Sequence, residues 1–459
     1  VETKLNSVYF IGIGGIGMSA IARFFHSRGV KVSGYDKTST SLTRELEAGG
    51  MAVHYEDNVD RIPKDAELVV YTPAVPKDHK ELQYYLQHGF KVVKRSDVLQ
   101  MITESSFNIC IGGTHGKTTI TTMTAHLLRD SGYGCNAFLG GISVNYGTNF
   151  WSSDNNVCVI EADEYDRSFL KLSPDIAIIS AMDPDHLDIY GTAEAVEQGF
   201  IDFSKRIKPA GLLVSKFGLK RGKDLSGDRR ITYSVQDDNA DAYAANIKMR
   251  NGSYEFDVIV KDNRLDNVKL NMGGMHNVEN SVAAIAVASS LKIENARIKA
   301  AVESFRGVKR RFEYIVKNDK VVYIDDYAHH PEELRALITG AKSLFSKKKC
   351  TVVFQPHLYT RTKDHAEGFA KVLDMADEII LLPIYPAREL PIEGVTSEMI
   401  LSRMKSGNKK VIAKEKIPGW IENSYAKDIN KQVGQVLITA GAGDIDTLVQ
   451  PIKEIIEKV

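Results

Sequence analysis

Ile111-Gly112-Gly113-Thr114-His115-Gly116-Lys117-Thr118-Thr119 stands between an apolar run, Phe107-Asn108-Ile109-Cys110-Ile111, and a stretch of helical character from Ile120 to Leu128. A buried strand, a glycine turn and a helix in that order aim backbone N–H groups and the positive end of a helix dipole at one point, which suits a triphosphate. In such a loop Lys117 reaches the β- and γ-phosphates and the Thr118 hydroxyl sits on Mg²⁺. The spacing departs from G-x-x-x-x-G-K-[ST], because Ile111 holds the first position and the glycines are Gly112 and Gly113. It reads as a shortened phosphate loop, with a tight turn that happens to end in Gly-Lys-Thr as the plainer alternative.

Upstream, Val8-Tyr9-Phe10-Ile11 is a strand running into Gly12-Ile13-Gly14-Gly15-Ile16-Gly17, followed by an apolar helix through Ser27 and a second strand, Val30 to Tyr35, ending at Asp36. Glycines at 12, 14 and 17 with an acidic residue roughly 20 positions further on form the fingerprint of a site for a ribose-linked diphosphate. The pattern does not say whose. A nicotinamide-dependent oxidoreductase explains this fingerprint but leaves residues 111 to 119 idle. A nucleotide-switched binding protein explains the Lys-Thr loop but not the earlier one. Both loops together predict two phosphorylated molecules held by one chain. A further strand, Leu68 to Tyr71, ends in Thr72-Pro73-Ala74-Val75-Pro76, and ligands sit at that end of a parallel sheet. Lys91 to Arg95 reads as a short strand, with Ser96-Asp97 capping a helix through Met101. The first domain is expected to end near residue 103.

Beyond the phosphate loop, Asn156 to Ile160 is a strand ending at Glu161-Ala162-Asp163-Glu164, where a carboxylate beside a phosphate loop is a second anchor for Mg²⁺ or a solvated turn. The strand Ile176 to Ser180 leads to Asp183-Pro184-Asp185-His186; with Glu161 at the neighbouring strand end, His186 is a candidate metal ligand. Residues 211 to 272 read as strands and polar turns. In the helix beginning near His276, Asn277 and Asn280 either meet a base edge or cap and turn. Arg310-Arg311 precedes a strand, Val321 to Ile324, that ends in Asp325-Asp326-Tyr327-Ala328-His329-His330-Pro331. Another strand, Thr351 to Phe354, ends in Gln355-Pro356-His357-Leu358-Tyr359-Thr360-Arg361-Thr362. Strand and helix alternate again to the end, which predicts a third doubly wound sheet whose Arg361 suits a carboxylate.

With 459 residues, two or three domains are expected. Apolar residues make up 43 % and charged residues 26 %, which excludes a disordered chain, and the formal net charge of zero offers no field for nucleic acid or an anionic membrane. The four scattered cysteines lack zinc or redox spacing and read as reduced thiols. No signal-peptide pattern and no membrane-spanning apolar run is seen, so a cytoplasmic protein is expected.

Gly113-Thr-His-Gly-Lys-Thr-Thr119, Glu161-Ala-Asp-Glu164, Asp183-Pro-Asp-His186, His276-Asn-Val-Glu-Asn280 and Asp326-Tyr-Ala-His-His-Pro331 together resemble the Mur ligases of peptidoglycan synthesis, over nearly the whole chain. Within that family, Gly12 to Met18 resembles members that take UDP-N-acetylmuramate itself, and Gln355 to Thr362 resembles those that add L-alanine rather than a whole tripeptide. The resemblance implies an α/β chain of three domains. These are a Rossmann-like UDP-sugar domain over 1–103, a central P-loop ATPase-like domain over 104–306 and a Rossmann-like amino-acid domain over 307–459. It implies ATP-dependent ligation of L-alanine to the lactoyl carboxylate of UDP-N-acetylmuramate through an acyl phosphate, in a monomer or homodimer.

By the same resemblance Gly14, Gly15, Gly17, Asp36, Thr72 and Ala74 hold the UDP-sugar. Gly113, Thr114, His115, Gly116, Lys117, Thr118, Thr119, Asn277, Asn280 and Arg311 hold ATP, and Thr118, Glu161 and His186 hold Mg²⁺. Tyr327, His329 and Arg361 handle the amino acid, and Lys117, His186, Asp326 and His329 are the expected catalytic groups. Two departures are visible. Leu358 stands where members often carry Arg, which shifts carboxylate recognition onto Arg361. The stretch Ala193 to Ser204 holds no lysine, so the carbamylated lysine of several Mur ligases is not expected here.

Overall fold

The computed structural model describes residues 5–458 except 166, 185, 186, 251, 388 and 430–432, with residues 187 and 188 described by backbone alone. Its strands fall into three sheets. Runs such as Val8-Tyr9-Phe10-Ile11, all at 1 % exposure or less, pack on both faces, as parallel strands covered by helices require.

The first sheet is all parallel, in the order Ala52–His54, Lys31–Tyr35, Ser7–Ile11, Leu68–Tyr71, Val92–Lys94. Strand order reverses between Ser7–Ile11 and Leu68–Tyr71, and a crevice opens at such a switch point. The glycine turn after Ile11 and the Thr72 turn after Tyr71 both leave the sheet there.

The central sheet places Phe107–Gly112 between Ile176–Ile179 and Val157–Glu161, all parallel, so that the phosphate loop, Glu161 and Ser180 emerge side by side. Beyond Ile176–Ile179 come Leu212–Lys216 and Arg229–Ser234, and the sheet continues through Ala242–Arg250, Ser253–Val260 and Asn263–Leu270. Two short strands with weak sequence signals, Asn136–Phe138 and Phe150–Trp151, finish the other edge as an antiparallel pair.

The third sheet runs Glu313–Lys317, Val321–Asp326, Gln435–Ala440, Lys349–Phe354, Glu378–Leu381, Lys409–Val411. Only its first strand is antiparallel to its neighbour. Asp326 and Phe354 both register with Ala440, which brings the turns after them to one end of the sheet.

By packing, the chain divides into two compact units. One runs through Ala245 and takes in Asp257–Asp266 and Glu279–Phe305; the other takes in Asn246–Phe256, Asn267–Val278 and the chain from Arg306 on. In the first, the helix Ile16–Ser27 is locked to the central sheet's edge. Phe24 packs against Phe138 at 5.3 Å and Phe150 at 6.2 Å between ring centroids, and the Asn149 amide donates to Ile16 O at 2.6 Å and Ser19 Oγ at 2.9 Å.

Some element ends differ from expectation. The helix expected behind a Ser96-Asp97 cap begins at Arg95 and runs to Ser105, because Asp97 sits one turn in and accepts from Lys94 N at 2.8 Å. The helix that follows the Asp325 to His330 cluster spans Pro331–Leu344, entered through His330 with Glu333 closing a capping box. All four cysteines are free and buried. Among the described residues no helix is long and apolar enough to cross a membrane.

Candidate active site

The phosphate loop is shaped by two glycines that no other residue replaces without strain. Gly113 has φ 135° and is crossed by the next strand end, where a side-chain carbon would meet Ala181 N at 2.8 Å and overlap the Ser180 hydroxyl. Gly116, at φ 81°, opens the helix Lys117–Asp130 without any side-chain cap, leaving its first amides aimed outward as an anion site requires. Ser180 donates to His115 O, Thr114 N donates to Ala181 O at 3.2 Å, and Asp183 N donates to Thr114 Oγ1 at 3.2 Å. His115 is exposed, its ring 3.8 Å from the Asp183 carboxylate. A side-chain carbon on Gly116 would lie 2.9 Å from Asn280 Oδ1, so Asn280 does flank the loop.

Lys117 Nζ donates to Gly113 O and to Glu164 Oε1, both at 2.7 Å. Glu164 is almost wholly buried, and burial pushes its carboxyl upward against the pull of Lys117. The lysine is thus held across the loop by a buried carboxylate and a backbone carbonyl. Next to it, Thr118 Oγ1 donates to Glu161 Oε1 at 3.1 Å. A hydroxyl and a carboxylate that close form a hard-oxygen pair of the kind Mg²⁺ takes. The Glu161 carboxylate rests directly on Gly140, where a side-chain carbon would overlap both its oxygens. His186, the other expected metal ligand, lies outside the described residues. Gly140→Ala is expected to displace Glu161 and raise the Mg²⁺ concentration for half-maximal activity about tenfold; a Mg²⁺ titration of turnover checks this.

In the first sheet Gly12, at φ 87°, approaches Thr72 so closely that a side-chain carbon would meet Thr72 Cγ2 at 2.8 Å. Gly14 N donates to Asp36 Oδ2 at 2.8 Å and Thr38 N to Asp36 Oδ1 at 3.3 Å. The carboxylate expected to meet a ribose therefore also clamps the glycine turn. Gly15 opens the helix Ile16–Ser27, again with no side-chain cap. Val75 N donates to Thr72 O at 3.1 Å, which turns the chain and leaves Ala74 exposed.

The third sheet gathers a cluster of imidazoles. Asp326 accepts Phe312 N at 2.6 Å and Ala328 N at 2.7 Å, and burial pushes its carboxyl up to about 6. Both oxygens are thus engaged in fixing the turn that carries Tyr327 and His329. His329 Nδ1 lies 2.9 Å from Tyr327 O; a carbonyl only accepts, so Nδ1 carries the proton and Nε2 presents a lone pair. His357 is the reverse. Its Nδ1 accepts from Arg361 Nη1 at 3.0 Å, which leaves the proton on Nε2. Burial first, then Arg361, lowers both His330 and His357 to about 4, and burial lowers His329. The ring centroids of His329 lie 4.8 Å from His330 and 6.3 Å from His357. Tyr327 is stacked under Arg310 at 5.1 Å and Arg311 at 5.4 Å.

Leu358 has φ 69°, a conformation costing a non-glycine residue on the order of 1–3 kcal/mol. It opens the helix Tyr359–Leu373 and aims Arg361 back at His357. In the same unit Asn277 is buried and donates to Gly273 O at 2.6 Å. Glu164 and His357 lie inside motifs read for other residues, and no sequence signal marks Gly140 as the cradle of Glu161.

Family models match the chain across all three sheets. The "Mur ligase family, catalytic domain" matches residues 7–106, the "Mur ligase middle domain" 111–288, and the "Mur ligase, glutamate ligase domain" 310–444. The chain belongs to the Mur ligase family. Among its relatives, the UDP-N-acetylmuramate--L-alanine ligase of Cytophaga hutchinsonii is 47 % identical, covering 99 % of this chain and 98 % of that one. That of Phocaeicola vulgatus is 49 % identical over 99 % of each. The crystal structure of the UDP-N-acetylmuramate-alanine ligase MurC from Thermotoga maritima superposes with a TM-score of 0.80 at 30 % identity, over 98 % of both chains. A murein peptide ligase from Psychrobacter arcticus, at 22 % identity and TM-score 0.67 over 99 % of each chain, shares the fold.

Proposed function

We propose that the chain joins L-alanine to the lactoyl carboxylate of UDP-N-acetylmuramate with cleavage of ATP to ADP and phosphate, a step of peptidoglycan precursor synthesis carried out in the cytoplasm. The observation that supports the chemistry is that one compact unit carries two glycine turns opening helices without a side-chain cap and the other carries imidazoles beside a guanidinium, groups suited to two anions and to an amino acid. Full-length identity of 43–49 % to ligases named for L-alanine supports that amino acid over a tripeptide.

The division of labour follows the three expected domains, 1–103, 104–306 and 307–459. Gly14, Gly15, Gly17, Asp36, Thr72 and Ala74 hold the sugar nucleotide. Gly113 to Thr119, with Asn277, Asn280 and Arg311, hold ATP. Mg²⁺ on Thr118 and Glu161, with His186 as a further ligand, would neutralise phosphate charge.

A carboxylate does not condense with an amine unaided, since hydroxide leaves poorly. The lactoyl carboxylate first attacks the γ-phosphorus, forming an acyl phosphate and ADP. Lys117 moves its ammonium from Glu164 onto the phosphates and stabilises the charge that gathers there. L-Alanine lies with its carboxylate on Arg361 and the His357 Nε2–H, and its ammonium toward the His329 Nε2 lone pair. Burial first, with Arg361 as a smaller cause, makes His329 a weak base in the free protein. A bound carboxylate offsets the Arg361 part of that lowering and so raises the basicity of His329. The neutral amine then attacks the acyl carbon, and phosphate departs with one oxygen of the former carboxylate. Asp326 holds the turn that aims Tyr327 and His329.

The test is phosphate release with ATP, Mg²⁺ and UDP-N-acetylmuramate, comparing L-alanine, glycine, L-serine and the tripeptide. L-Alanine is expected to give the highest kcat/KM. Preference for the tripeptide would move the chain to the recycling branch, and release independent of any UDP-sugar would defeat the reading.

A further inference from the structure

Arg95 is the first residue of the helix Arg95–Ser105, and its side chain packs against Gly17. A carbon added to Gly17 would sit 2.5 Å from Arg95 Nη1 and 3.4 Å from its Cζ. Gly17 belongs to the first turn of the uncapped helix Ile16–Ser27, so a permanently charged fork of five donors is pressed onto the loop that the functional reading gives to the sugar nucleotide. Its base is fixed: Lys94 N donates to Asp97, and Lys171 Nζ reaches both Asp97 and Ser96 Oγ.

What the guanidinium holds in this state is loose. Among the described residues its one carboxylate partner is Asp163, with Nη2 3.6 Å from Oδ2, beyond hydrogen-bond range, and the side chains are 22 % and 43 % exposed. Such a pair contributes little to stability. Asp163 stands between Glu161, the metal-site carboxylate, and Glu164, the partner of Lys117.

We propose that Arg95 is a binding residue for an anionic group of the sugar nucleotide, and that it turns from Asp163 to that group when the substrate arrives. This rests on the UDP-sugar reading of the first sheet. The anion is either the diphosphate at the glycine turn or the lactoyl carboxylate that extends toward the phosphate loop. Both take a guanidinium in the same way.

Calorimetric titration of UDP-N-acetylmuramate and of UDP-N-acetylglucosamine, which lacks the lactoyl group, into the full chain and its R95A, R95K and D163N forms tests this. R95A is expected to weaken binding of UDP-N-acetylmuramate ~10- to 100-fold, R95K to recover part of the loss, and D163N to bind as tightly as the unaltered chain or more so. MgATP affinity should be unchanged in R95A, which also reports that the variant is folded. Equal loss in R95A for both sugars assigns the diphosphate; loss for the muramyl compound alone assigns the carboxylate. Equal weakening by R95A and D163N would reveal a structural strut and overturn the proposal, as would no weakening by R95A. Failure of the unaltered chain to bind either sugar nucleotide would instead overturn the functional reading beneath it.

Discussion

Replacing Lys117 by alanine is expected to lower ADP formation by roughly three orders of magnitude, with UDP-N-acetylmuramate still bound at close to its normal affinity. Lys117 is the one cation that the loop itself places among its outward amides, and it is held there by Gly113 O and Glu164. Removing it takes a cation from beside the buried Glu164 carboxylate. Burial already pushes that group upward against the pull of Lys117, so without the lysine it shifts further toward its protonated form. The fold therefore survives, at a cost of about 1–3 kcal/mol for the lost charged hydrogen bond. The glycine turn at 12 to 17 belongs to a different sheet, and its contacts with Tyr35, Asp36 and Thr72 do not involve the phosphate loop. Rapid-quench measurement of ADP alongside calorimetry of the sugar nucleotide separates the two effects. Loss of sugar affinity as large as the loss of turnover would mean that the two anion sites are one.

Arg361→Ala is expected to raise the KM for L-alanine by about two orders of magnitude while moving that for ATP little. In the proposed arrangement, with Leu358 where family members often carry arginine, the L-alanine carboxylate rests on Arg361 and the His357 Nε2–H. The variant carries a second signature. Arg361 is a cause of the lowered pKa of His330 and His357, against Glu333 and Glu389, which pull the other way. Without it both imidazoles titrate at higher pH. Protonation then sets in earlier on acidification, and the acid limb of the kcat/KM profile for L-alanine shifts upward. A KM for ATP raised as much as that for alanine would remove Arg361 from the amino-acid site.

How far the sequence could be read follows from how local each signal is. The strands Phe107–Gly112, Val157–Glu161 and Val321–Asp326 are short apolar runs ended by polar clusters, and parallel sheets put ligands at those ends. Element type and candidate residues were therefore both visible there. The edge pair Asn136–Phe138 and Phe150–Trp151 was not, because two or three residues carry no periodicity and their burial comes from Phe24, more than a hundred positions earlier. Contacts made across the fold were equally hidden. Nothing near Gly140 announces that Glu161 lies on it, nothing near Arg95 announces Gly17, and nothing near Asp36 announces that it also clamps Gly14 N. The tautomers of His329 and His357 depend on a carbonyl and a guanidinium that only the third dimension supplies.

The central claim is that the sugar's own carboxylate is activated by phosphorylation. The direct measurement uses UDP-N-acetylmuramate carrying ¹⁸O in both lactoyl carboxylate oxygens, turned over with ATP and L-alanine, with the released phosphate read by mass spectrometry. One ¹⁸O per phosphate is predicted, since the bridging oxygen of the acyl phosphate leaves with it. Phosphate free of label would contradict the account.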